Sequence, residues 1–138
     1  MPQNNFIIDL TMGRFNGQAM SLQIQTNDII VYDNVSPGQP EVRVEFNCEL
    51  PTCITFNVAG KQPFDTQLDE SGKIVEDKFV RVDRMIVDRM PVETWILESK
   101  LINFCGQKTN YFHTNGQASI HIPNRDSFGF FLDLMSNN

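Results

Sequence analysis

The sequence has no run of basic residues, no long apolar stretch, no internal repeat and only one tryptophan. Each absence removes a class of protein. Neutralising nucleic-acid phosphates takes clustered Lys and Arg. Here 11 basic residues are scattered among 17 acidic ones, for a formal charge of −6, so binding to DNA or RNA is not expected. A membrane-spanning helix needs about 18 or more consecutive apolar residues, and no stretch approaches that length. The opening Met-Pro-Gln-Asn-Asn-Phe-Ile-Ile-Asp-Leu lacks the positive and apolar segments of a secretory signal. Cys48, Cys53 and Cys105 make an odd set that no disulfide framework uses in full. A reducing compartment during folding is the simpler expectation.

What is present reads as one domain, residues 1–138. A chain of this length buries roughly two-thirds of its unfolded surface, enough for an unaided core. Phenylalanine is prominent, with 11 residues, and its ring suits the half-buried pleated surface of a strand.

Period-two alternation recurs along the chain. Phe6 to Met12 and Met20 to Thr26 read as strands around a Gly13–Gly17 turn, and Asp28 to Asp33 as a short apolar run. Glu41 to Asn47 puts Val42, Val44 and Phe46 on one face; Thr52 to Val58 does the same with Ile54, Phe56 and Val58. Pairing Cys48 directly with Cys53 would turn the second set toward water. Their connection is therefore an odd loop, a bulge or a crossing between sheets, which argues against a Cys48–Cys53 disulfide.

From Asp77 onward Val80 and Val82 set one phase while Met85 and Val87 set the other, as a bulge between Asp83 and Arg84 would produce. Val92 to Leu97, with Trp95, reads as a further strand, and Leu101 to Cys105 as an apolar segment before a Gly106–Thr109 turn. Asn115-Gly116 is a type I′ hairpin signal, setting Tyr111 and His113 inward with Ala118, Ile120 and Ile122, and Phe112 outward. Ser127 to Met135 is the last strand. No helical stretch stands out. Nine or ten short strands with regular turn signals predict an all-β fold, a single-domain antiparallel β-sandwich. The long connections favour a jelly-roll version.

Several residue groups carry chemistry on paper. Asp65, Asp69 and Asp77 belong to the densest acidic group, and calcium wants several oxygens from one flexible loop. Their spacing does not match the helix-loop-helix calcium pattern, and Glu70-Ser71-Gly72-Lys73 fits a plain hairpin turn. The three cysteines with His113 or His121 could supply a tetrahedral zinc, yet the Cys48–Cys53 gap of four intervening residues stands alone, with no second close pair of ligands. Small buried hydrophobes and a satisfied histidine are the commoner roles. Cys105, His113 and a carboxylate spell a triad, but no elbow glycines flank Cys105. No enzymatic activity is expected. Phe112, Trp95 and Tyr32 are candidate sugar-stacking rings, with Phe112 preferred to Tyr111 as the outward-facing one; core packing is the commoner role for each.

The order Phe56-Asn57-Val58-Ala59-Gly60-Lys61, Asp65-Thr66, Asp69 to Lys78, Val80-Arg81-Val82 and Val87-Asp88 resembles small β-sandwich proteins of tailed phages, notably those of marine cyanobacteria. It is also similar to calcium-dependent carbohydrate-binding modules. The resemblance covers about a quarter of the chain, and Arg89 stands where that pattern has glycine. It implies a non-enzymatic virion structural or decoration module that folds in a host cytoplasm and contacts other virion proteins or itself. The alternative it implies is a glycan-binding module, with calcium as its candidate ion.

Overall fold

The computed structural model describes residues 3–34, 38–62, 66–103 and 105–123. In chain order its elements are β1 (Asn4–Met12), β2 (Arg14–Phe15), β3 (Gln18–Ala19), β4 (Ser21–Thr26), β5 (Ile29–Asn34), β6 (Glu41–Cys48) and β7 (Thr52–Ala59). Then come β8 (Thr66–Leu68), β9 (Ile74–Asp77), β10 (Val80–Val87), β11 (Met90–Val92), α1 (Thr94–Lys100), β12 (Ile102–Asn103), β13 (Tyr111–Phe112) and β14 (Gly116–Ile122). One antiparallel sheet runs β11-β10-β1-β6, with β13 also on β10; the other runs β12-β14-β7-β4-β5. The pairs β2–β3 and β8–β9 are separate small hairpins. The expected β-sandwich architecture is what forms.

Alternation decides which side of each sheet is covered. Phe6, Ile8, Leu10, Val44, Phe46, Val80, Val82, Met85 and Val87 are buried from one sheet; Leu22, Ile24, Ile54, Phe56, Val58, Ala118, Ile120 and Ile122 are buried from the other. Burying a large apolar side chain is worth about 1.5–3 kcal/mol each, so these two inner faces dominate the stabilising side of the balance. The outer face of the first sheet is held by charge instead. Arg43 donates to Asp9 at 2.7 Å and Arg84 reaches the same carboxylate at 3.4 Å. The Arg43 hydrogen bond is the main reason the Asp9 carboxyl ionises below its ordinary range.

The expected bulge is present. Asp9 pairs with Arg84 and Leu10 with Val82, so Asp83 is the extra residue on β10. Its carboxylate turns outward and accepts a 2.6 Å hydrogen bond from Arg81. The Glu70–Lys73 hairpin also forms: Gly72 has φ +88°, and Asp69 Oδ1 accepts hydrogen bonds from Ser71 and Lys73 N–H at 2.9 Å. The Cys48–Cys53 connection takes the sheet-crossing option, since β6 and β7 lie in different sheets. All three cysteines are free thiols, and burial raises the pKa of Cys48.

Three expectations are corrected. Residues 94–100 are a helix rather than a strand; Ile96 and Leu97 are buried while Trp95 is 52% exposed. A run of three apolar residues in two helical turns is too short for periodicity to separate the two states. Strand β12 covers only Ile102–Asn103, and Cys105 is exposed on the following turn. Asn115-Gly116 does not close a hairpin: β13 pairs with β10 and β14 with β7. The strand expected at 127–135 lies outside the described residues.

The Asp88-Arg89 turn joining β10 to β11 has φ +50° and +69°, the left-handed pair of a type I′ turn, whose second position favours glycine. An L-residue held there costs roughly 1–2 kcal/mol. Arg89→Gly is therefore expected to raise stability by about 1 kcal/mol, read as a higher midpoint in urea unfolding. An unchanged or lower midpoint would show that the arginine side chain offsets its backbone strain.

Candidate functional site

The site forms where the chain changes sheets after α1. Asn103 builds the turn that follows β12: its Oδ1 accepts the N–H groups of Cys105 at 2.9 Å and Gln107 at 3.0 Å. The chain returns through Asn110, which is buried and zips onto β10. Asn110 Nδ2 donates to the Val82 carbonyl at 2.9 Å, and Val82 N–H donates to the Asn110 carbonyl at 2.9 Å. This fixes the side-chain directions of β13. Phe112 goes into the core, 5% exposed and 6.1 Å from Phe56. Tyr111 points the other way and stacks on Phe79 at 4.9 Å. The ring of His113 lies 5.5 Å from Tyr111 and is exposed.

Lys61 then locks the crossing. Its N–H donates to Asn115 Oδ1 at 2.9 Å, and Asn115 Nδ2 donates back to its carbonyl at 3.0 Å. Its ammonium donates to the His113 carbonyl at 2.7 Å and pairs with Asp77 at 2.6 Å. Asn115 is thus spent on Lys61 rather than on an isolated turn, which explains why the hairpin signal misleads.

Between the 103–109 turn and the 111–118 segment lies a cleft of about 450 Å³. Val58, Phe112 and Ala118 form its apolar floor, with Tyr111 and His113 as rings and Asn103, Gln107 and Gln117 as amides. A second hollow, reached past His113 and Thr114, is bounded by Lys61, Gln62 and Asn115. Neither lining contains a carboxylate among the described residues. Burial, and then the nearby Asp77 charge, raise the Tyr111 pKa, so its hydroxyl is a neutral donor at physiological pH.

The sequence candidates are not brought together. Phe112 is the cleft's floor and shows water no stacking face, a correction that follows from β13 joining the β10 sheet. Trp95 sits on α1 and Tyr32 is half-buried against the core on β5; neither lines the cleft. Asp69 serves its own turn, and the Ser71 hydroxyl is the main cause of its lowered pKa. Asp77 is buried and faces Lys61. Asp65 lies outside the described residues. Sequence reasoning set Tyr111 aside for Phe112, weighed His113 only as a metal or triad residue, and missed Lys61 and Lys108, because nothing local says which sheet β13 will join.

The chain is thus a β-sandwich that carries a cleft of rings and side-chain amides. No family model matches the chain, and no curated protein matches it either. Two solved structures do share the fold. One is the selenomethionine form of vCBM60, described with a circular permutation linking two families of calcium-dependent carbohydrate binding modules. It has TM-score 0.55 and 16% identity over 86% of this chain and 90% of that one. The other is vCBM60 in complex with galactobiose, at TM-score 0.54 and 16% identity over 85% and 97%. The expected kinship with carbohydrate-binding modules is therefore matched at the level of fold. Neither structure bears on tailed phages, a virion location or a decoration role.

Calcium asks for six to eight oxygens, several of them carboxylate. Among the described residues no three Asp, Glu, His or Cys side chains gather closely enough to hold a metal ion. The described donor set does not fit calcium or zinc. The described helix is not long and apolar enough to cross a membrane.

Proposed function

We propose that this chain is a non-catalytic carbohydrate-binding module, and that the sugar occupies the cleft beside Tyr111 and His113. The observation that carries this reading is the cleft's composition: two exposed or half-exposed rings over an apolar floor, rimmed by side-chain amides. A pyranose has apolar C–H faces that pack on a ring and hydroxyls that need both donors and acceptors. Each amide supplies both, and a concave, mostly apolar site with a few oriented polar groups is how small ligands are held. The shared fold of vCBM60, solved in complex with galactobiose, supports the same class.

Isothermal titration calorimetry against galactobiose and a panel of oligosaccharides tests it. Tyr111→Ala is expected to weaken the binding about thirtyfold, the loss of a central aromatic anchor worth about 2 kcal/mol. Trp95→Ala is expected to leave it unchanged. Sugar binding that survives Tyr111→Ala would move the site elsewhere, and no binding to any saccharide would end the reading.

A further inference from the structure

We infer that the ligand of this cleft is an anionic glycan, a chain bearing uronate carboxylates, engaged by Lys108 and His113 without a bridging calcium ion. The inference rests on the glycan-binding reading above and narrows it to a chemical class. It starts from a contrast in charge. The chain has 17 acidic residues against 11 basic ones, yet no Asp or Glu lines the cleft or the hollow next to it among the described residues. The ionisable groups there are Lys108, Lys61, His113, Tyr111 and Cys105.

Lys61 is already committed, because its ammonium pairs with Asp77 at 2.6 Å. Lys108 is not. It is exposed on the cleft's lip, and its side chain has no hydrogen bond or ion pair among the described residues. The ring nitrogens of His113 are likewise without a hydrogen bond there. Elsewhere the arginines of the outer sheet face are neutralised in place, Arg43 and Arg84 on Asp9 and Arg81 on Asp83. A cleft for neutral sugars gains nothing by excluding carboxylates, which accept hydroxyl hydrogen bonds well. A cleft for an anion must exclude them, since like charges brought together cost several kcal/mol.

The same arrangement accounts for the metal. A calcium ion lets protein carboxylates and sugar oxygens share one cation. Here the described carboxylates are absent from the cleft, and the cation is supplied by the side chain of Lys108. A uronate takes the place that the bridging ion and a neutral sugar would otherwise fill together.

The test uses the whole chain, with short oligogalacturonides and galactobiose titrated calorimetrically in EDTA and again with added calcium. Oligogalacturonides are expected to bind in EDTA and more tightly than galactobiose. That binding is expected to weaken as salt shortens the Debye length toward about 3 Å. Lys108→Gln is expected to weaken it about fivefold, the equivalent of about 1 kcal/mol for an exposed ion pair, while Lys108→Arg retains it. Lys108 is exposed, so neither variant threatens the fold. Equal or tighter binding of galactobiose, a silent Lys108→Gln, or loss of binding in EDTA would each overturn the inference and leave glycan binding standing. Failure of every saccharide to bind would instead overturn the glycan reading, and this inference with it.

Discussion

Asp77→Ala is expected to lower folding stability by about 3–5 kcal/mol, the cost of breaking a buried ion pair from one side. Both partners are withdrawn from water, with side-chain exposures of 13% for Lys61 and 8% for Asp77. Taking away the carboxylate leaves the Lys61 ammonium donating to the His113 carbonyl with no charge among the described residues to balance it. Against the roughly 5–15 kcal/mol that holds a typical domain together, that loss is large. It corresponds to a fall in Tm of about 12 °C for a chain of this size. The pair also joins the end of β9 to the segment that carries His113, so the cleft should loosen along with the fold. Urea unfolding gives the stability, and the double variant Lys61→Met/Asp77→Leu separates charge from packing. Well-packed apolar replacements of a buried pair are often neutral, so the double variant is expected to recover most of the loss. A loss under about 1 kcal/mol for Asp77→Ala would mean that water reaches the pair and that its worth is that of a surface contact.

Gly13→Ala is the second large effect, with an expected loss of about 2–3 kcal/mol from overpacking. A Cβ at residue 13 would lie 2.1 Å and 2.3 Å from ring carbons of Phe79 and 2.7 Å from the carbonyl oxygen of Asp77. The ring could move, but the carbonyl belongs to the backbone beside the Lys61 ion pair. Phe79 is the surface on which Tyr111 stacks, so a displaced Phe79 passes the disturbance into the cleft. Two readouts follow: a lower unfolding midpoint, and sugar affinity that drops without any change to a cleft-lining residue. The double variant Gly13→Ala/Phe79→Leu should recover only part of the stability, because the clash with the Asp77 carbonyl remains. Full recovery would show that the ring was the whole obstacle.

Much of the architecture was legible in the sequence, and the reason is periodicity. Strands β6, β7 and β14 present their apolar residues at every second position, and they bury the expected side chains apart from Val42, which is half-buried against the core. The bulge on β10 showed itself as a phase change, because one inserted residue flips every side chain beyond it. Gly72 and the Asp69 turn are local devices, set by φ and by hydrogen bonds spanning four residues. Helix α1 was not legible, since seven residues give too few turns for a period to declare itself.

The candidate site was hidden for a different reason. Tyr111-Phe112 is a two-residue strand, and alternation assigns its rings to opposite sides without saying which side is inner. That depends on the sheet it joins, and therefore on the buried contact between Asn110 and Val82, 28 residues apart. The same holds for Lys61, Asp77 and Asn115, which look like ordinary polar residues until the fold removes them from water together.

The sequence by itself determined the inner faces of β6, β7 and β14, the bulge and the acidic turn, because each follows from neighbours a few residues away. The tertiary structure alone decided that β13 leaves β14 for the other sheet. That choice sinks Phe112, lifts Tyr111 and His113, and opens a cleft free of described carboxylates. Contacts between distant residues settle it, and no local pattern encodes their free energy.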